Sequence, residues 1–267
     1  MPRRSPYVTR PGWGRSAASV RKRERDRKRR WLADQAIWTP AALFAQGQQG
    51  VWYEPKPEYL FQDAAGTIPV TADGDPVGRM LDLSPNGNHA TQETSASRPV
   101  YRTDGVLHWL EPDRVDDFML FPAFTPPADC IVFAGIQASA APETEMWIGR
   151  LGGSQPGAKI GYTDALYFGR LSDAGAGQSI SATTAGNGVV IGIERDSDNL
   201  VTFSAGVQVV SDGDANPVYL DSLFRARFGA VQGQHFGGRF FGAVLVDSNE
   251  GSPGARSYLA NLAGVTL

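Results

Sequence analysis

GNGVVIGIERDSDNLVTFSAGVQVVSDGD, residues 186–214, holds three runs rich in β-branched residues, 189–194, 200–205 and 207–210. Gly186-Asn187-Gly188 opens the stretch, Asp196-Ser197-Asp198-Asn199 parts the first two runs, and Asp212-Gly213-Asp214 closes it. Short extended runs punctuated by Asn, Asp, Ser and Gly read as antiparallel strands joined by tight turns. The pattern continues in both directions. Further candidate strands are 51–53, 77–82, 106–109, 118–121, 131–137, 146–149, 165–169, 179–182, 227–230 and 238–246. Turn signals recur at Asp73-Gly74-Asp75, Pro85-Asn86-Gly87-Asn88 and Asp104-Gly105. Strands spaced about 8–12 residues apart, without intervening helices, predict an all-β sandwich or jelly roll over 48–267 and exclude βαβ units. The late exception is a helix over 253–262, with Ser252 as its cap and Gly264 as its stop.

The composition supports one sizeable core. The 267 residues are 42% hydrophobic and 20% charged, enough to fill a large β domain. No apolar run approaches the roughly 18 residues of a membrane helix, and the basic N-terminus lacks the apolar stretch of a secretory leader. A single cysteine, Cys130, excludes an intrachain disulfide framework and reads as a small core residue. The net charge of −3 conceals a division: residues 1–31 carry 12 Lys/Arg against Glu24 and Asp26, whereas the remaining 236 carry 13 basic and 26 acidic residues.

The basic arm spans 1–38. Prolines and glycines around Trp13 predict extended chain over 1–14, and the absence of both over 15–35 favours helix. Arg21, Lys22, Arg23, Arg25, Arg27, Lys28, Arg29 and Arg30 would repel one another on an isolated helix, so order requires an acidic partner. Trp13, Trp31 and Trp38 favour a protein socket as that partner, with nucleic acid as the alternative. Thr39-Pro40-Ala41-Ala42-Leu43-Phe44-Ala45-Gln46-Gly47 predicts a short helix with Thr39 as N-cap, Pro40 at its first position and Gly47 as stop.

Leu43-Phe44-Ala45, Gly50-Val51-Trp52-Tyr53-Glu54-Pro55, Leu60-Phe61-Gln62-Asp63-Ala64-Ala65-Gly66-Thr67, Val77-Gly78-Arg79-Met80-Leu81-Asp82-Leu83-Ser84, Asn86-Gly87-Asn88-His89-Ala90-Thr91-Gln92 and Ala96-Ser97-Arg98-Pro99 together resemble phage and prophage structural proteins with a concanavalin A-like, laminin-G-like jelly roll. Val115-Asp116-Asp117-Phe118-Met119, 240–247 and 259–267 fit the same pattern. The resemblance implies two curved antiparallel sheets and a place on a virion assembled in a bacterial cytoplasm. It also implies many copies and contacts with portal, connector, capsid or tail proteins. Appendage modules of this kind often bind glycans. The arm matches none of the pattern.

Site chemistry is sparse. Asp63, Asp73, Asp75, Asp82, Asn86 and Asn88 offer the hard oxygens calcium prefers, though without the spacing of a calcium-binding loop. Asn86-Gly87-Asn88-His89 reads first as a structural turn. Glu194-Arg195-Asp196-Ser197-Asp198 has alternating acids, but the polar residues between them fit a hairpin tip better than a glucanase strand. Trp147, Tyr162, Tyr167, His235 and Phe236 are candidates for a sugar-stacking face, together with Phe168. No nucleotide-binding, metalloprotease or nucleophile–base pattern occurs. These readings predict a non-enzymatic virion protein anchored by its arm, without a cofactor. The alternative is a carbohydrate-binding module of a host-adsorption apparatus, and after it a polysaccharide-cleaving enzyme.

Overall fold

The computed structural model describes residues 38–124, 129–138, 145–149, 159–163, 166–170, 178–180, 188–196, 199–204, 207–212, 220–228, 231–248 and 250–266. The chain divides into two units, Met1–Trp38 and Thr39–Leu267. Of the arm, only Trp38 falls among the described residues, so Trp13, the basic cluster 21–30 and Trp31 lie outside them.

The second unit is a sandwich of antiparallel strands. In chain order these are β1 (Gly50–Tyr53), β2 (Leu60–Phe61), β3 (Arg79–Met80), β4 (Ala90–Thr91), β5 (Val100–Thr103), β6 (His108–Glu111), β7 (Met119–Phe124), β8 (Cys130–Ala138) and β9 (Glu145–Gly149). They continue with β10 (Lys159–Thr163), β11 (Leu166–Arg170), β12 (Gln178–Ile180), β13 (Val189–Asp196), β14 (Asn199–Ser204) and β15 (Val207–Asp212). The last are β16 (Leu220–Leu223), β17 (Arg225–Phe228), β18 (Val231–His235) and β19 (Gly238–Val246). The first sheet runs β15-β14-β13-β8-β19-β6-β5, with β1 also paired to β19. The second runs β12-β11-β10-β9-β16-β7-β4-β3-β2, and β17-β18 forms a separate ribbon.

Both sheets contribute to one core. Val132, Ala134, Ile136, Ile191, Ile193, Leu110 and Phe240 of the first meet Leu60, Met80, Met119, Phe121 and Leu223 of the second. The central strand β8 is buried on both faces, because helix α1 (Ser252–Leu262) covers the outside of the first sheet. Gly135 permits this close approach, since a Cβ there would stand 3.0 Å from the Leu259 carbonyl oxygen. Cys130 is buried in β8.

A bulge in β19 sets which side chains face which way. Phe240 pairs with Ile136 and Gly242 with Gly135, leaving Phe241 as the extra residue. Gly242 has φ +141°, a conformation that favours glycine. The bulge lets Phe240 and Ala243, three residues apart, both enter the sandwich core. Phe241 instead joins Trp109 and Ala263 on the outer, helix-covered side.

Short elements differ from the sequence expectation. The 77–82 run contracts to β3, while β2, β4, β5, β10, β16 and β18 arise where the sequence lacks a long apolar run. Residues 39–47 form a 3-10 segment, Pro40–Phe44, whose Thr39 caps through its backbone carbonyl and not its side chain. Helix α1 is capped by Gly251 in the left-handed region, and the expected cap Ser252 instead donates its hydroxyl to Glu194 Oε2 at 2.5 Å. Glu194 thus belongs to the packing of α1 on β13, and Asp196 pairs with Asn199 across the expected hairpin.

Candidate functional site

The calcium candidates are consumed by protein donors. Asp82 Oδ1 accepts the backbone N–H groups of Trp52 and Ser84, while Oδ2 accepts the Ser84 hydroxyl and the Asn88 N–H, all within 2.7–2.9 Å. Asn86 and Asn88 turn their amide nitrogens onto the Gly50 carbonyl at 3.1 Å each. His89 Nδ1 accepts the Asp82 N–H, and burial, reinforced by Arg79, lowers its pKa. Tyr53 donates its hydroxyl to the Asn88 carbonyl. This knot fastens β1 to the loop after β3. Asp75 Oδ2 accepts the N–H groups of Thr71 and Ala72, and Asp73 binds the Thr103 N–H and Arg102. Asp63 likewise holds its own turn through Thr67 and Ile68, which keeps its pKa down at about 2.

The aromatic candidates separate. Phe236 is fully buried and stacks on Phe224 at 6.2 Å, so its ring is core and offers no sugar platform. His235 is buried, with Nδ1 3.4 Å from the Asp117 carbonyl oxygen. Tyr162 and Tyr167 are register partners on β10 and β11, and Trp147 falls where the pairing of β9 with β10 slips by one residue.

A pocket of about 570 Å³ opens at the ends of β6, β8 and β19, lined by Glu111, Pro112, Asp113, Arg114, Gln137, Ala138, Gly237, Gly238 and Arg239. Its construction follows from strand register. Arg239 pairs with Gln137 and Gly238 with Ala138, while Phe240 pairs with Leu110 and Asp113 bridges to Gly237. Strand alternation puts Trp109 and Glu111 on the outer face of the first sheet, because Leu110 between them points into the core. The exposed Arg239 lays its guanidinium 4.4 Å from the centre of the Trp109 ring. Trp109 Nε1 donates to Glu111 Oε2 at 3.2 Å, and Arg102 Nε stands 3.6 Å from the same oxygen.

The loop after β6 forms the remaining wall. Asp113 Oδ1 accepts the N–H groups of Val115, Asp116 and Asp117, and Asp117 Oδ2 accepts the Asp113 N–H in return. This reciprocal clamp holds Arg114 at φ 66°, strained for a residue with a side chain. The Arg114 stem packs against Gly237, where a Cβ would stand only 2.6 Å from that of Arg114. Carboxylate oxygens of Asp113, Asp116 and Asp117 lie within 4.8 Å of one another. Burial, with the charges of Asp113 and Asp116 adding to it, pushes Asp117 up to about 6 against the pull of the Asp113 N–H. Burial also acts upward on Asp113, but its three backbone donors outweigh it and hold that acid below the usual range.

None of the pocket residues Glu111, Asp113, Arg114, Gln137 and Arg239 was a sequence candidate. They lie 128 positions apart at the extremes and are joined only by strand pairing. The one local signal is Asp113-Arg114-Val115-Asp116-Asp117, whose spacing fits a side-chain-closed loop.

No protein family and no curated protein matches the chain. Solved structures do. A GH54 α-L-arabinofuranosidase soaked with 4-nitrophenyl α-L-arabinofuranoside is 11% identical, with TM-score 0.54 over 85% of this chain and 65% of that one. The binding domain of botulinum neurotoxin serotype D is also 11% identical, with TM-score 0.46 over 67% of this chain and 49% of that one. Trypanosoma rangeli sialidase is 10% identical, with TM-score 0.48 over 93% and 39%. The chain thus spans less than two thirds of each of these structures. At such identities the likeness shows the fold, an antiparallel β-sandwich of the jelly-roll class, as the sequence predicts. The expectation of a non-enzymatic protein is corrected: the arabinofuranosidase shows that a glycosidase is built on this architecture. The lack of a local acid pair in the sequence therefore excludes no enzyme, since strand pairing sets residues distant in sequence side by side, as it does Gln137 and Arg239.

Proposed function

We propose that the sandwich recognises carbohydrate through the pocket between β6, β8 and β19. The observation that carries this reading is that Glu111, Gln137, Arg114 and Arg239, residues bearing a carboxylate, an amide and two guanidinium groups, line one open pocket. Planar groups with paired donors or acceptors suit adjacent sugar hydroxyls, and the volume lies in the range of about 300–1,000 Å³ typical of ligand sites. The neighbouring arabinofuranosidase was soaked with a glycoside, which agrees with this reading. On the resemblance of about 39–267, the module would sit on a phage particle, held by residues 1–38 and facing a host surface glycan.

A glycan array followed by titration calorimetry tests the proposal. Binding of at least one glycan, lost in Gln137→Ala with the melting temperature retained, is the expected result. Absence of binding across the array, or binding indifferent to Gln137→Ala, Glu111→Ala and Arg239→Ala, overturns it. Reducing-sugar release from the bound glycan, measured in the same samples, distinguishes a cleaving enzyme from a binding module.

A further inference from the structure

We infer that the sugar held in this pocket carries a carboxylate, and that Arg239 is the residue that selects it. The inference rests on the carbohydrate reading above and adds a ligand class to it. One oxygen of each acid in the wall is engaged by the protein: Glu111 Oε2 receives the Trp109 indole and faces Arg102, and Asp113 Oδ1 receives three backbone N–H groups. Arg239 differs. It is exposed and lies over the Trp109 ring, and among the described residues no carboxylate lies within 4.0 Å of it, although Arg239 is near enough to help lower the pKa of Asp104.

Contact with the Trp109 ring restrains the guanidinium, whose N–H groups point outward in its own plane. This presents a pre-oriented fork that matches the two oxygens of a carboxylate. Arg102 borders the same patch but is paired with Asp73 and Glu111, so in the pocket lining it is Arg239 that meets a ligand from the outer face of the sheet.

The test uses the full chain and an array of carboxylate-bearing oligosaccharides, among them trigalacturonate and sialyllactose, each beside its methyl ester and a sulfated neutral counterpart. Acid is expected to bind about tenfold or more tightly than ester, since hydrogen bonds to charged groups are worth at least that. Arg239→Gln should abolish the preference, and Arg239→Lys, which keeps charge and stem but not the fork, should keep only part of it. Added salt should weaken acid binding and leave ester binding unchanged. Equal binding of acid and ester, or a preference for the sulfated sugar, overturns the inference while leaving the carbohydrate reading standing. No binding of any sugar overturns both. Retained acid preference in an Arg239→Gln protein of unchanged melting temperature overturns the role of Arg239.

Discussion

Asp82 ties three segments together, because its four hydrogen bonds join β1, the turn at Ser84 and the loop at Asn88. Asp82→Ala would leave the buried N–H of Ser84 and the half-buried N–H groups of Trp52 and Asn88 without acceptors. A loss of about 3 kcal/mol is expected, read as a lower denaturant midpoint with unchanged slope. Asp117 acts in the opposite sense. Its folded pKa of about 6 lies above the ordinary 3.8, so the native state holds the proton more tightly than the unfolded chain. Its contribution to stability is full below pH 3.8 and is lost as pH rises toward and through 6. Asp117→Asn keeps an acceptor for the Asp113 N–H and removes the buried charge. It should raise the melting temperature at pH 7.5 and do progressively less as pH falls below 5. An equal effect at both pH values would show that the carboxyl is not held protonated.

At the scale of elements, β19 shows how much depends on one inserted residue. Without the bulge, the alternation of Phe240, Phe241 and Ala243 would put one of them on the wrong side of the sheet. Gly242→Ala places a Cβ 2.8 Å from the Tyr53 carbonyl oxygen at φ +141°, and is expected to cost on the order of 3 kcal/mol. Thermal melts with Phe241 and Trp109 environments followed by near-ultraviolet circular dichroism would check it. The long strands were legible because apolar runs such as 131–137 and 238–246 are longer than any turn could interrupt. Pairs such as Leu60–Phe61 and Ala90–Thr91 were not, since two residues carry no periodicity and their strand state comes from partners 10 to 29 positions away. Ser252 misled for a similar reason: its local capping chemistry loses to a distant acceptor, Glu194.

For the whole molecule, the division at Trp38 and Thr39 makes the sandwich and the arm separable questions. Removing residues 1–36 is expected to leave the unfolding midpoint of the sandwich unchanged within about 0.5 kcal/mol. If the phage reading holds, the same deletion abolishes incorporation into particles; normal incorporation would refute the anchoring role. The pocket was the least legible feature, since Glu111, Gln137 and Arg239 are ordinary strand residues until pairing sets them side by side. The same pairing has a temporal meaning. Strand β19 lies between β8 on one side and β1 and β6 on the other, with Gly50 set opposite Val246. A ribosome must therefore deliver nearly the whole sandwich before its central strand is available. Until then the edges of β1, β6 and β8 wait without their partner, so the nascent chain carries its aggregation hazard through most of its own synthesis.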